Sequence, residues 1–362
     1  MADAIELTVN GNIYTGWTEV RIVRALNQCA SAFELTVTER WAGVNDKPWQ
    51  IRRFDECTLS IAGMLVLTGY IDLYEPAYDS KSHTVHVTGR SKTCDLVDCM
   101  PDLAPDEFEG YKLDQIAKSL CAKFGIEVVV ECDVGEAFDV VATEKTDTAF
   151  AIIENRARQR GVILTDNEKG NLVITETGSQ GAAGSLIEGE KEGNIIAASA
   201  KLAGNELFSE YAVFSQRQET EDDDAQLENE GHATDGSVPR YRRHVEIAED
   251  PLDPKKCQDR AEWRARHNAG ASTEATLTAL GFRQTAGGKL WKINQTSYVR
   301  TPRLAMDGQF LIGRTSWMQD DKGGSRTELL VAPPEAFTQN PDPKIDHSDE
   351  SWKGVQKIKG GN

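Results

Sequence analysis

Short runs in which apolar and polar side chains alternate dominate roughly the first hundred residues. Ile5, Leu7 and Val9 alternate with polar neighbours and run into Asn10-Gly11-Asn12, and Phe33, Leu35 and Val37 alternate with Glu34, Thr36 and Thr38. Cys57, Leu59 and Ile61 repeat the pattern ahead of Gly63, and His83, Val85 and Val87 repeat it after the polar turn Asp79-Ser80-Lys81-Ser82. A period of two predicts strands with one buried face, and short strands at this spacing predict a small barrel or sandwich.

The period then changes. Past Pro101 and Pro105, in an acidic linker, Leu113, Ile116, Ala117, Leu120, Cys121 and Phe124 share one face of a helix that Gly125 ends. A second helix is predicted from near Asp147, burying Phe150, Ile153 and Ala157 and stopping at Gly161; residues 162–165 and 172–176 then flank Asp166-Asn167-Glu168-Lys169-Gly170 as a hairpin. This segment reads as a small α+β domain. The Gly178 to Gly184 run and the acidic stretch from Glu219 to Pro239, nearly devoid of large apolar residues, read as surface loops. A helix follows with Asp253 as cap, Pro254 in its first turn and Cys257, Ala261 and Ala265 on one stripe up to Gly270.

Strands return after that helix. Ala275, Leu277 and Ala279 alternate with polar residues, residues 290–299 form an extended run, and residues 310–318 pair with 327–331 across Asp320-Asp321-Lys322-Gly323-Gly324. The layout Gly69-Tyr70-Ile71-Asp72, polar turn, Thr84 to Gly89 is echoed by Gly313-Arg314-Thr315-Ser316, polar turn, Thr327 to Val331. The echo is either a coincidence of two hairpins or one barrel used twice in the chain.

The expected fold class is therefore mainly β with α+β insertions. It comprises two similar small β-barrels, at 1–100 and 178–337, around a small α+β domain at 101–177. The second barrel carries the acidic loop 219–239 and a helical insertion at 253–270, and a polar tail occupies 338–362. At 362 residues the chain exceeds what one core organises, so division into several domains is expected.

Charge and chemistry narrow the function by exclusion. Lys plus Arg total 40 against 58 Asp plus Glu, a formal charge of -18, which disfavours a general nucleic-acid or membrane surface. No stretch approaches the ~20 apolar residues of a membrane span, and Met1-Ala2-Asp3-Ala4 lacks a signal peptide's basic flank and apolar core, so assembly in the cytoplasm is expected. Seven cysteines (Cys29, Cys57, Cys94, Cys99, Cys121, Cys132, Cys257) form no CxxC pair and read as reduced, mostly buried thiols.

Phosphate loop, GxSxG elbow and HExxH pattern are all missing; His83 and His86 would lie on opposite faces of a strand, and His232, His244, His267 and His347 are scattered. The acidic run Glu219, Glu221, Asp222, Asp223 and Asp224 lacks the spacing and central glycine of a calcium loop and reads as a solvated face. Trp17, Trp41, Trp49, Trp263, Trp291, Trp317 and Trp352 read as core or interface residues rather than a sugar-stacking platform. The expectation is no catalytic, cofactor-binding or metal-ligating residue, and hence no cofactor.

One resemblance runs through most of the chain. Thr68-Gly69-Tyr70-Ile71-Asp72, with Val85-His86-Val87-Thr88-Gly89-Arg90-Ser91 and Asp95-Leu96-Val97-Asp98, resembles the closing strand and turn of the first barrel in hub proteins of contractile phage tails, notably Mu-like ones. The likeness continues at Ala149 to Glu154 with Ala157 to Gly161, and at Gly308 to Ile312 leading to Thr327 to Val331. On the residues themselves, Gly89 reads as a sharp exit from its strand, Ser91 or Asp95 as a cap, Leu96 and Val97 as docking groups, and Arg90 as partner of an unassigned acid.

What the resemblance implies is a non-enzymatic homotrimer in the virion baseplate. Two barrels per chain would make a pseudo-sixfold ring joining a sixfold tail tube to a threefold spike around a channel for DNA. Its implied partners are the tail tube protein, the central spike and other baseplate proteins, with DNA only in transit and no membrane insertion. The alternatives are a cell-wall hydrolase, a carbohydrate- or receptor-binding tail protein, and the equivalent hub of a bacteriocin or secretion spike.

Overall fold

The fold is that of a computed structural model, describing residues 3–26, 28–39, 50–80, 83–102, 107–189, 193–216, 228–248 and 252–338. The first segment holds β1 (Ile5–Val9), β2 (Asn12–Tyr14), β3 (Glu19–Ala25), β4 (Ala32–Glu39), β5 (Glu56–Ile61), β6 (Met64–Tyr78) and β7 (His83–Ser91). The middle holds α1 (Cys94–Asp98), β8 (Glu107–Glu109), α2 (Leu113–Ala122), β9 (Val128–Val130), β10 (Val140–Ala142), α3 (Ala149–Arg160), β11 (Ile163–Asp166) and β12 (Leu172–Thr175). The last holds β13 (Leu186–Ile187), β14 (Ile195–Leu202), β15 (Glu210–Gln216), β16 (Glu228–Thr234), β17 (Arg243–Ile247), α4 (Pro254–Ala271), β18 (Thr273–Leu280), β19 (Thr296–Thr301), β20 (Met306–Asp320) and β21 (Gly324–Ala332).

The alternating segments form the expected strands because every second side chain enters a core. Leu7, Ile22, Leu35, Leu59, Ile71 and Val87 are sealed in one apolar cluster, and Leu277, Trp291, Ile312, Leu329 and Val331 in another. The two halves are not separate rings. A single path, β14-β18-β21-β20-β3-β4-β7-β6-β5-β1-β2, runs through both, with β19 and β13 attached beside β20, and it does not close on itself among the described residues.

The same strand order nevertheless occurs twice. In one half it is β3-β4-β7-β6-β5-β1, and in the other β14-β18-β21-β20-β19-β13. The echoed hairpins are its centre: β6 and β20 are each 15 residues long, and β7 and β21 are each nine. Each long strand carries a bulge at the corresponding place, between Ile71 and Leu73 and between Ile312 and Arg314, which bends it so that its two ends serve different neighbours. Aligned on the bulges, Ile71 corresponds to Ile312, Asp72 to Gly313 and Leu73 to Arg314.

The α+β unit has its own core, with Leu113, Ile116, Ala117 and Leu120 of α2 against Ile152, Ile153 and Ala157 of α3. Thr148 caps α3 by accepting from Ala151 N at 3.2 Å, and Gly161 ends it in the left-handed region at φ 68°. Asp253 likewise caps α4, accepting from Lys256 N at 2.8 Å.

Two expectations need correction, the loop at 219–239 and the extended run at 290–299. The acidic loop begins at residues outside the described set, but 228–234 are a strand, β16, paired to β15 and lying on α4. Gly231 allows that approach, since a Cβ there would sit 2.2 Å from backbone atoms of Cys257 and Gln258. The Gly178 to Gly184 run is tied down: Gly178 N donates to Asn294 Oδ1 at 2.7 Å, and Asn294 Nδ2 donates to Glu176 O and Ser179 Oγ, each at 2.9 Å. Asn294, buried and at φ 61°, replaces the strand expected at the start of 290–299 with a turn. Residues 339–362 of the polar tail lie outside the described residues.

Candidate functional site

Polar side chains that fix one unit of the fold against another gather at a few places. The hairpin turn after β11 is such a place. Asp166 Oδ1 accepts from Ser31 Oγ at 2.7 Å and its Oδ2 from Ser31 N at 3.1 Å. Arg24, on β3, donates from Nη2 to Asp166 O at 2.5 Å and from Nε to Ser31 Oγ at 3.2 Å. The Arg24 and Asp166 side chains are only 7% and 1% exposed, so the ion pair between them, at 3.7 Å, is sealed from water.

Two residues on, Glu168 lies 3.5 Å from Arg24 and 2.5 Å from Lys292, while its backbone oxygen accepts from Thr68 Oγ1 at 2.9 Å. Burial alone would raise the Glu168 carboxyl, but Arg24 and Lys292 outweigh it and hold it below the usual carboxylate range. One five-residue turn thus clamps the α+β unit to both β halves.

The second constellation surrounds the β6–β7 hairpin. Arg90 donates from Nε to Asp72 Oδ2 and from Nη2 to Asp98 Oδ2, each at 2.8 Å, and these two acids are the partners its sequence position left open. Asp72 is the bulge residue, so the guanidinium pins the bend of β6 to the end of α1. Gly69 and Gly89 permit the close approach behind it, since a Cβ on Gly69 would lie 1.8 Å from Arg90 O and one on Gly89 2.3 Å from Tyr70 O. Gly89 therefore serves packing rather than a sharp exit from the strand.

Ser91 and Asp95 do not cap α1 either. Ser91 Oγ meets Thr93 Oγ1 at 2.7 Å and accepts from Ser31 N at 3.1 Å. Leu96 is fully buried against the α+β core, while Val97 is 37% exposed.

The third constellation joins α4 to its sheet. Glu246 on β17 accepts from Arg264 Nε and Nη2 at 2.9 and 2.7 Å and is paired with Arg260. Gln258 brackets β16, accepting from His232 N at 3.0 Å and donating to His232 O at 2.8 Å.

Comparison with known proteins decides what these joints serve. Residues 4–91 match the family described as Mu phage baseplate assembly protein GpP-like, N-terminal, and residues 253–340 its GpP fourth domain. Residues 93–176 match the second domain of the baseplate hub protein gp44-like family. The baseplate hub protein gp44 of Escherichia phage Mu is 30% identical over 351 residues, covering 93% of this chain and 89% of that one. This chain belongs to the Mu-like baseplate hub family.

The hub protein is accordingly a structural component of a phage tail baseplate and not an enzyme. Its fold is matched by the crystal structure of the 43 kDa tail protein of prophage MuSo2 from Shewanella oneidensis, at 34% identity and a TM-score of 0.82, over 93% of this chain and all of that one. The tail protein from Neisseria meningitidis MC58, at 20% identity, shares the fold with a TM-score of 0.77 over 94% and 99% of the two chains.

Among the described residues no three His, Cys, Asp or Glu side chains gather to hold a metal ion, and no helix is long and apolar enough to cross a membrane. Trp17, Trp291 and Trp317 are core residues and Trp263 stacks on His267 with centroids 4.8 Å apart; Trp41, Trp49 and Trp352 lie outside the described residues, as do Glu219, Glu221, Asp222, Asp223 and Asp224. The Asp166–Arg24–Glu168–Lys292 joint had no local signal in the sequence, because its partners are 142 and 124 residues apart.

Proposed function

We propose that three copies of this hub protein form a ring that joins a sixfold tail tube to a threefold spike and surrounds a channel through which DNA passes. The observation that carries the reading is the doubled strand order: one chain presents six strands in the same order twice, differing in the end pair, antiparallel for β1–β5 and parallel for β13–β19, so three chains would present that order six times. A threefold assembly then offers quasi-sixfold contacts on one side and true threefold contacts on the other. On this reading the residues divide as 1–100 and 178–337 for the two ring-forming units, each barrel-like within the ring, 101–177 for the α+β unit, and 338–362 for a polar tail. The partners are the tube protein, the spike and neighbouring baseplate proteins, and the chain needs no catalytic residue, cofactor or metal.

The charge is in keeping with a conduit for DNA. Three chains of -18 carry three times that, -54, and an acidic wall repels phosphate instead of retaining it. Screening confines the effect to about 8 Å from the wall at physiological salt. Mass in solution combined with particle images tests the reading: a trimer with a central opening supports it, and a solid particle or a bore lined by Lys and Arg overturns the channel.

A further inference from the structure

The strand that precedes each long bent strand is entered by the same turn in both β halves. β5 begins at Glu56, opposite Tyr70, and β19 begins at Thr296, opposite Leu311. With Ile71 set against Ile312, the turn at 51–55 therefore corresponds residue by residue to that at 291–295. Its backbone bonds repeat as well. Phe54 N donates to Ile71 O at 2.8 Å and Ile71 N to Asp55 O at 3.0 Å; Asn294 N donates to Ile312 O and Ile312 N to Gln295 O, each at 2.9 Å. Phe54 and Asn294 are both left-handed, at φ 71° and 61°, and Ile51 and Trp291, at the matching first position, are both buried.

The two copies differ in their cover. In the second β half Ile293 is buried with Leu26, Ile163 and Leu311, Asn294 is 2% exposed under its bonds to Glu176, Gly178 and Ser179, and Lys292 pairs with Glu168. In the first β half the corresponding Arg52 and Arg53 are exposed, and Phe54 is 82% exposed. Left-handed backbone suits Asn and Gly, whereas a bulky aromatic there is strained. A ring that meets mostly water gives the isolated chain little burial to offset that strain.

We infer that Phe54 is an anchor between chains: flanked by Arg52 and Arg53, it packs on a second copy of this chain, the next one in the ring. The inference rests on the trimeric reading and names one residue of its contact.

Two observations point to that occupant. Inside the chain the 291–295 turn receives Leu26, which follows β3, so this turn is where one β half meets the other. In a ring that repeats the halves, the 51–55 turn stands in the same place and faces the second half of the neighbouring chain.

The charges also suit a copy. Arg52 N donates to Asp55 Oδ2 at 2.9 Å and closes the turn, but neither the Arg52 nor the Arg53 guanidinium makes a hydrogen bond or ion pair among the described residues. The chain they would meet carries a formal charge of -18. An aromatic side chain held out on a hydrogen-bonded turn between two arginines has the composition of an interface hot spot.

Substitution separates an anchor from a folding residue, because the two predict opposite changes. F54N and F54G relieve the strain, so the dissociated full-length chain is expected to melt no lower than the parent, while the dissociation constant per contact rises about 30-fold or more. F54W keeps the aromatic bulk and is expected to keep assembly. With Phe54→p-benzoylphenylalanine, ultraviolet light is expected to join full-length chains to one another in species of up to three. An F54N chain that melts several degrees below the parent makes Phe54 a folding residue and overturns the inference. A trimer by mass in which F54N assembles as tightly as the parent and position 54 forms no chain-to-chain cross-link overturns the anchor and leaves the trimer standing. A parent protein of single-chain mass overturns both.

Discussion

Replacing Arg24 by Met should loosen the whole chain from its centre. The side chain is 7% exposed, and its removal strands the Asp166 carboxylate, 1% exposed, with only Ser31 left as a donor. Breaking a buried pair from one side costs about 3–5 kcal/mol, whereas removing both charges costs far less, so R24M should lower stability by that amount and R24M/D166N by about 1–2 kcal/mol. Denaturant unfolding supplies both values, and limited proteolysis in the 91–112 and 175–185 connections would show the α+β unit coming free.

The same joint sets a pH dependence. Glu168 has a folded value below its unfolded 4.5, so its contribution is fully present above 4.5 and is lost as the pH falls through the folded value. The E168Q chain should lack that acid limb. An R24M loss under about 1 kcal/mol, or a double variant as unstable as the sum of the singles, would refute the reasoning.

Gly69→Ala forces a Cβ to 1.8 Å from Arg90 O and should cost at least about 3 kcal/mol or prevent the first β half from folding, read by circular dichroism and thermal melting. Gly231→Ala should separate β16 from α4, with enhanced cleavage around 228–234 and a loss of about 2–3 kcal/mol, while cleavage elsewhere stays unchanged. All seven cysteines should titrate as thiols in denaturant without reductant, and in the native state Cys57, Cys94 and Cys121, pushed up to about 12 by burial, should react slowly at neutral pH.

Legibility in the sequence followed the physics of each segment. Strands such as β1, β4 and β7 announced themselves because one face enters a core and the other meets water, and the echo of β6–β7 in β20–β21 could be seen because both hairpins pair long bent strands with nine-residue partners. The strand β16 stayed hidden. Its Glu-Asn-Glu-Gly-His run has no apolar alternation, and it is held by the β15 ladder, by Gln258 and by a glycine pressed on helix backbone.

The merging of both halves into one sheet was also invisible, since it depends on β3 pairing with β20 along one edge while it pairs with β4 of its own half along the other. Arg90 could be singled out as a residue needing an acid, but Asp72 becomes that acid only because a bulge turns it outward. Joints between distant segments leave no periodicity behind.

The most direct measurement of the central claim is the mass of the intact chain in solution, taken with averaged particle images. The hub assignment with its doubled strand order predicts three chains in a closed ring with six similar lobes around an opening. A stable monomer, or a closed twofold dimer, would contradict it.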